Sequence, residues 1–254
     1  MMDETSQLVE FVKEKSVDAH FKHPFTCLVV GPSESGKSTF VHDLLIYLED
    51  DFTDVVIYLG TSVDQNPTFL SLLEKKLSFK LTLVNLSEKY GPHPGTSEEL
   101  LKDVTQLCTT MQEEHKKLCL VFDDLMTELN NSSLISDLFS KYSSHTKTTV
   151  IFITQNLFYK GKKQSESVTM YRNTKYLVLF RSGMDQTTFQ VVAKRIGVST
   201  KFLVDVTNVH RYIVIRADHH GPKFTTDIFN TVCIQGENVP IQTQLDPISA
   251  ERKV

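Results

Sequence analysis

The chain has 254 residues, 40% of them hydrophobic and 23% charged, with a formal net charge of −4. That length suits one large α/β domain and is short for two. No apolar run approaches the roughly 20 residues that span a bilayer, the acidic start MMDETSQLVEFVKEK lacks a signal peptide's apolar segment, and the scattered Cys27, Cys108, Cys119 and Cys233 form no CxxC pair, so they read as buried reduced thiols.

Residues 1–24 are read as a helical lead-in, 25–235 as the working domain and 236–254 as a flexible polar tail. The first strand is 25–30 (FTCLVV), followed by a helix over 37–48 whose Phe40, Leu44, Leu45 and Leu48 form one apolar stripe. Residues 55–59 (VVIYL) predict a second strand, and 67–76 a short helix opened by a proline suited to a first turn. A turn cluster at 91–95 (GPHPG) precedes a helix over 97–115. Residues 118–122 (LCLVF) form a third strand, apolar throughout as a doubly covered strand should be. A helix over 134–142, strands at 150–154 (VIFIT) and 176–180 (YLVLF), a helix over 185–196 ending at Gly197 and a late strand at 212–216 (YIVIR) complete the series. Alternating strands and helices predict a mostly parallel sheet covered on both faces.

Between the first strand and its helix, Gly31-Pro32-Ser33-Glu34-Ser35-Gly36-Lys37-Ser38 matches GxxxxGK[ST]. Its glycines let successive backbone N–H groups curl around phosphate oxygens. The helix behind presents its positive end to the same anion, with Thr39 in its first turn. Lys37 can reach the β- and γ-phosphates and Ser38 can ligate magnesium. The bland alternative is a glycine-rich turn without ligand; the strand before and the amphipathic helix after argue against it. Glu34 is the oddity, and its side chain should point to solvent.

The third strand ends in Asp123-Asp124. Two acids at a buried strand end need a partner, because unpaired buried charge is costly. Asp123 is expected to hold magnesium together with Ser38, and Asp124 to orient or deprotonate an attacking water. The next strand ends in Thr154-Gln155-Asn156, where the Gln155 amide could reach both a γ-phosphate and that water. A strand inserted after the acidic pair and carrying a polar sensor is the layout of additional-strand, RecA-like P-loop NTPases. Their sheet order is 5-1-4-3-2 in chain-order numbering, with the sensor strand between the loop strand and the acid strand.

Together, GPSESGKSTFVHDLL, LVFDDLM, LFSKYSSHTKTTVIFITQNLF and TKYLVLFRSGMDQ resemble poxvirus-type genome-packaging ATPases of the FtsK–HerA superfamily, especially those of small DNA viruses and Maverick/Polinton-like elements. The resemblance covers roughly residues 25–190. It implies ATP as the nucleotide, with Lys37 and Ser38 as nucleotide and magnesium contacts, Asp123 as the magnesium acid, Asp124 as the catalytic carboxylate and Gln155 as the sensor. It also implies a homo-oligomeric ring, pentameric or hexameric, that pumps double-stranded DNA and docks on viral capsid proteins. Such a motor would work inside the host, in the nucleus or a cytoplasmic viral factory, and could stay with the virion. Two departures stand out. Asp124 sits where many relatives carry Glu, and the Arg often found after the sensor strand aligns with Val168. Arg172 and Arg181 are the candidates for an arginine acting on the neighbouring subunit's site.

Residues 141–216 hold thirteen Lys and Arg against three acids, although the whole chain is acidic. Lys160, Lys162 and Lys163, beside Tyr159 in a glycine-containing loop, could face DNA in a ring pore or could simply be a solvated loop. His219-His220 has no third ligand at useful spacing and reads as a polar turn. The runner-up function is a P-loop phosphotransferase, which predicts an arginine-rich lid that is not evident. A GTPase would need an Asn-Lys-x-Asp segment, and an ABC subunit a glycine-rich signature before the acidic strand. Neither is present. A purely structural role fits poorly with intact Lys37, Ser38, Asp123 and Asp124.

Overall fold

Each apolar run anticipated as a buried strand forms one in the computed structural model, which describes residues 21–91, 96–125, 134–157, 164–183, 186–217, 222–225 and 231–232. The strands are β1 (Thr26–Val30), β2 (Asp54–Leu59), β3 (Lys80–Asn85), β4 (Leu118–Asp123), β5 (Thr149–Thr154), β6 (Tyr176–Phe180), β7 (Tyr212–Arg216), β8 (Lys223–Thr225) and β9 (Thr231–Val232). They make one sheet of order β3-β2-β4-β5-β1-β6-β7-β8-β9. The five strands that defined the expected order run β6-β1-β5-β4-β2, all parallel, which is 5-1-4-3-2 when those five alone are numbered. The full sheet is wider than that core. β3 adds a parallel edge outside β2, and β7 to β9 continue antiparallel beyond β6. β3 escapes a search for apolar runs because KLTLVN alternates exposed and half-buried positions, as an edge strand does.

Alternation along each strand sorts the core into two layers. Cys27, Val29, Ile57, Val121, Ile151, Ile153, Val178 and Phe180 face one side. There they meet Phe40, Val41, Leu44 and Leu45 of α1 (Lys37–Tyr47) and Phe69 and Leu72 of α2 (Pro67–Leu73). Leu28, Val30, Leu120, Phe122, Phe152 and Leu179 face the other side. The Asn85 side chain caps a short α3 (Leu86–Tyr90). The second face is covered mainly by α4 (Thr96–Glu113), α5 (a helical stretch over 134–145 with a π-helical turn at Leu138–Tyr142), α7 (Thr187–Ile196) and α8 (Thr200–His210). Between α5 and α7 lies α6 (Gln164–Arg172).

The predicted helices shift by a few residues at their ends. α2 stops at Leu73, and α7 starts at Thr187. α6 and α8 were not anticipated. Ser199 caps α8 by accepting from Phe202 N, a two-residue restart after the left-handed Gly197 that closes α7. Cys27, Cys108 and Cys119 are buried free thiols, as expected. Among the described residues no helix is long and apolar enough to cross a membrane. The lead-in up to residue 20, the Tyr159–Lys163 loop, His219-His220, Cys233 and the 236–254 tail lie outside the described residues.

Candidate active site

Parallel strands end together, so residues far apart in sequence meet at one edge of the sheet. Val30 pairs with Thr154, and Ile153 pairs with Asp123. The loop, the sensor and the acids therefore stand on three adjacent strands at one level. The Gly31 N–H donates to Thr154 O at 3.2 Å, and the Asp124 N–H donates to Ile153 O at 3.2 Å. These bonds tie both flanks to the sensor strand.

The loop's curl is built by backbone choices that side chains resist. Gly36 takes φ 99°, and Glu34 takes φ 60°. Gly31 is required by close approach, since a Cβ there would lie 2.5 Å from Phe180 Cβ. Phe180, the last residue of β6, is the floor of the loop, and its ring packs on Phe40 and Tyr212. Glu34 is exposed, so its carboxylate stays outside the curl. Pro32, Ser33 and Thr39 are exposed as well, and Ser35, Gly36, Lys37 and Ser38 are half-buried. α1 starts at Lys37 with no side-chain cap and no acid in its first turn, which leaves its first N–H groups and its dipole for an anion. Ser35 Oγ is buried without a hydrogen-bond partner among the described residues. A buried orphan donor inside an anion-binding curl fits a phosphate oxygen.

Lys37 Nζ donates to Gly31 O at 2.8 Å and to Pro32 O at 2.6 Å, so its ammonium sits over the loop. Burial lowers its pKa while Asp123 and Asp124 raise it. Ser38 Oγ donates to Asp123 Oδ2 at 3.4 Å, and Gln155 Nε2 donates to Asp124 Oδ2 at 3.0 Å. Burial first, then the Asp124 charge, pushes the Asp123 carboxyl up to about 6. Two oxygens side by side, one on a carboxylate that resists ionising, fit a hard divalent cation. Among the described residues no cluster of three or more His, Cys, Asp or Glu could hold an ion alone. A cation at Ser38 and Asp123 would therefore complete its shell with phosphate and water oxygens.

Asp124 adopts φ 54°. Asp tolerates this left-handed backbone better than a longer side chain does. Gly60, at the end of β2, makes room for the turn, since a Cβ there would stand 3.1 Å from Asp124 O. Phe180 and Gly60 are site residues that sequence reading missed. Each acts through a contact between distant segments, and neither belongs to a local motif. A cavity of about 250 Å³ opens beside the loop between Ser33, Gln155, Asn156, Ser182 and Thr188.

The two arginine candidates part company. Arg181 is exposed just past β6 at the loop's end of the sheet, and its N–H donates to Arg211 O at 2.7 Å. Arg172 closes α6 ahead of β6, at the opposite end.

The sign of the Asp123 shift gives a test. A carboxyl whose folded pKa is raised from about 3.9 to about 6 favours the fold below pH 4 and loses that contribution as pH rises through 6. In magnesium-free buffer at pH 7, ionised Asp123 costs about 3 kcal/mol. Asp123→Asn should therefore raise stability to urea at pH 7, lose that advantage near pH 4, and still abolish turnover. Equal midpoints at both pH values would mean that Asp123 is not strained by burial.

Several comparisons bear on the whole chain. The family model described as poxvirus A32 protein matches residues 10–218. By sequence, no curated protein matches. Among solved structures, the genome packaging NTPase B204 from Sulfolobus turreted icosahedral virus 2, in complex with ATP-gammaS, aligns with a TM-score of 0.53 at 10% identity, over 82% of this chain and 100% of B204. B204 from Sulfolobus turreted icosahedral virus aligns with a TM-score of 0.53 at 12% identity, over 80% of this chain and 97% of that one. The cytoplasmic domain of the Thermomonospora curvata type VII secretion ATPase EccC aligns with a TM-score of 0.52 at 13% identity, over 87% of this chain and 26% of EccC. At such identities the likeness speaks to the fold.

Proposed function

The chain belongs to the poxvirus A32 protein family, and from that premise we propose that it is an ATP-hydrolysing motor that drives double-stranded DNA into a preformed viral capsid. One observation carries the hydrolase part: the Gln155 amide, on the strand between loop and acids, donates to Asp124 Oδ2 at 3.0 Å. A carboxylate so held, beside a phosphate loop, is set to handle water rather than a bulky acceptor. ATP is the proposed nucleotide. B204, a genome packaging NTPase whose fold this chain shares, was solved with ATP-gammaS.

In this scheme Lys37 exchanges the Gly31 and Pro32 carbonyls for phosphate oxygens, and the first N–H groups of α1 hold the same group. Asp124 accepts a proton from the attacking water, and Gln155 fixes the rotamer of that carboxylate. Magnesium, held by Ser38 and Asp123, would neutralise charge on the transferred phosphoryl group. An arginine from a neighbouring subunit would complete the site in a pentameric or hexameric ring. Arg181 suits that role better than Arg172, because it is exposed at the same end as the loop. The motor would dock on capsid proteins within the infected cell, in the nucleus or a cytoplasmic factory, and could remain with the virion.

Double-stranded DNA should raise ATP turnover of the full chain several-fold at low salt, with the stimulation fading as salt rises. Turnover indifferent to DNA at every salt concentration would favour the phosphotransferase reading.

A further inference from the structure

The ring that floors the phosphate loop is itself held from outside the parallel core of the sheet. We propose that Tyr212, the first residue of β7, is a positioning residue for ATP: it fixes Phe180 beneath Gly31 and Gly36 and so keeps the loop in its phosphate-ready curl. It rests on the reading of residues 31–38 as an ATP loop and adds what sets that loop's shape.

Phe180 meets the loop at both of its glycines. A Cβ on Gly31 would lie 2.5 Å from Phe180 Cβ, and one on Gly36 would lie 3.7 Å from Phe180 Cε1. The ring therefore spans the underside of the curl from its entry to its exit. Strand pairing places Tyr212 directly opposite Phe180, and opposite residues of an antiparallel pair share a face. Their ring centroids lie 5.0 Å apart. Phe40 closes the triangle, 5.1 Å from Tyr212 and 6.3 Å from Phe180. All three separations fall in the range of favourable aromatic pairs. Phe40 also reaches the loop through its backbone, whose N–H donates to Gly36 O at 2.9 Å. Lys37 and Ser38 lie between Gly36 and Phe40 in sequence, so the triangle grips the segment that carries them.

The start of β7 is built to hold that ring in place. α8 ends at His210 and β7 begins at Tyr212, so Arg211 alone makes the turn. It takes φ 66° and ψ −35°, a left-handed backbone that a non-glycine residue adopts at a cost and keeps only where its surroundings impose it. Here the Arg181 N–H donates to Arg211 O at 2.7 Å. The residue after Phe180 is thus clamped to the residue before Tyr212, and the two rings are held abreast. Burial alone does not call for a ring at this position. Val214 is the buried residue of β7 on this face, whereas Tyr212 is half-buried.

A loop whose floor can move samples flatter backbones, and ATP must then restore the curl as it binds. Loss of the Tyr212 ring therefore acts on affinity. Asp124 and Gln155 follow β4 and β5, on the other side of β1 from β7, so the chemical step changes little once ATP is in place. A side chain that only stabilised the fold would move the unfolding midpoint and leave affinity where it was.

The test measures ATP affinity, turnover and the urea midpoint of the full chain. Tyr212→Leu should weaken ATP binding about tenfold, within reach of the two aromatic pairs it loses, with kcat within about threefold of the wild type. Tyr212→Ile, whose β-branched side chain suits a strand, should do the same, and Tyr212→Phe should bring affinity back to within about twofold. Phe25→Leu is the control. Its ring belongs to the same layer at the opposite end of the sheet, 5.3 Å from Phe21 and 5.4 Å from Tyr176, and its loss should lower the urea midpoint without moving ATP affinity. In a Phe180→Leu background, Tyr212→Leu should cost less than about twofold more, because it acts through that ring. Unchanged affinity in Tyr212→Leu, full additivity with Phe180→Leu, or an equal loss of affinity in Phe25→Leu would reduce Tyr212 to ordinary packing and overturn the proposal. If the wild type binds no ATP, the reading of the loop itself fails, and this brace with it.

Discussion

Lys37→Ala should lower ATP turnover by at least about 100-fold, the scale on which removal of one preorganised electrostatic contact acts in a phosphoryl-transfer site. The effect should fall on binding as well as on the chemical step, because the ammonium is the only basic side chain that the loop GPSESGKS supplies. Its geometry restricts substitution. Lys37 Nζ stands 2.8 Å from Gly31 O and 2.6 Å from Pro32 O, a fit made for a compact ammonium. The larger planar guanidinium of Lys37→Arg should not restore turnover. Folding should survive either change, since Lys37 is half-buried at a helix start and α1 is anchored by Phe40, Val41, Leu44 and Leu45. Measured nucleotide affinity and turnover, with a urea midpoint close to the wild type, would confirm the assignment. Undiminished turnover in Lys37→Ala would remove the phosphate loop from the mechanism.

Most of this site was legible in the sequence because its parts are local. A strand, a curled loop and a helix start follow one another in GPSESGKS, and DD closes a run of five apolar residues. That three of the strands are interior was legible for a related reason, while their order came from the layout of additional-strand P-loop NTPases. LCLVF, VIFIT and YLVLF are apolar on both faces, which only interior strands of a covered sheet tolerate. What escaped lies at edges and in long-range contacts. β3 alternates because one of its faces is more open to solvent than the other, and α8 follows α7 after only three residues. Phe180 was visible only as the end of a buried strand. Its role appears once β6 lies against β1 and the ring closes under Gly31.

Asp124→Asn should separate binding from hydrolysis. Asn and Asp both tolerate a left-handed backbone, so φ 54° at this position is kept without new strain. The Asn carbonyl can still accept from Gln155 Nε2, which lies 3.0 Å from Asp124 Oδ2. What the substitution removes is the basicity that takes a proton from water. Turnover should therefore fall by about 10² to 10⁴, the usual share of a positioned general base, while ATP affinity changes by no more than a few-fold. Asp124→Glu is the sharper comparison. A longer carboxylate keeps the base. In this chain it would have to accept φ 54° in a turn packed so closely on Gly60 that a Cβ there would stand 3.1 Å from Asp124 O. Partial activity is expected from Glu, set by how far that turn can relax. Gln155→Ala should cost about tenfold, since it leaves the base in place and frees its rotamer. If Asp124→Asn instead lost ATP binding along with turnover, the residue would be holding the turn between β4 and the sensor strand, and the base would have to be sought elsewhere.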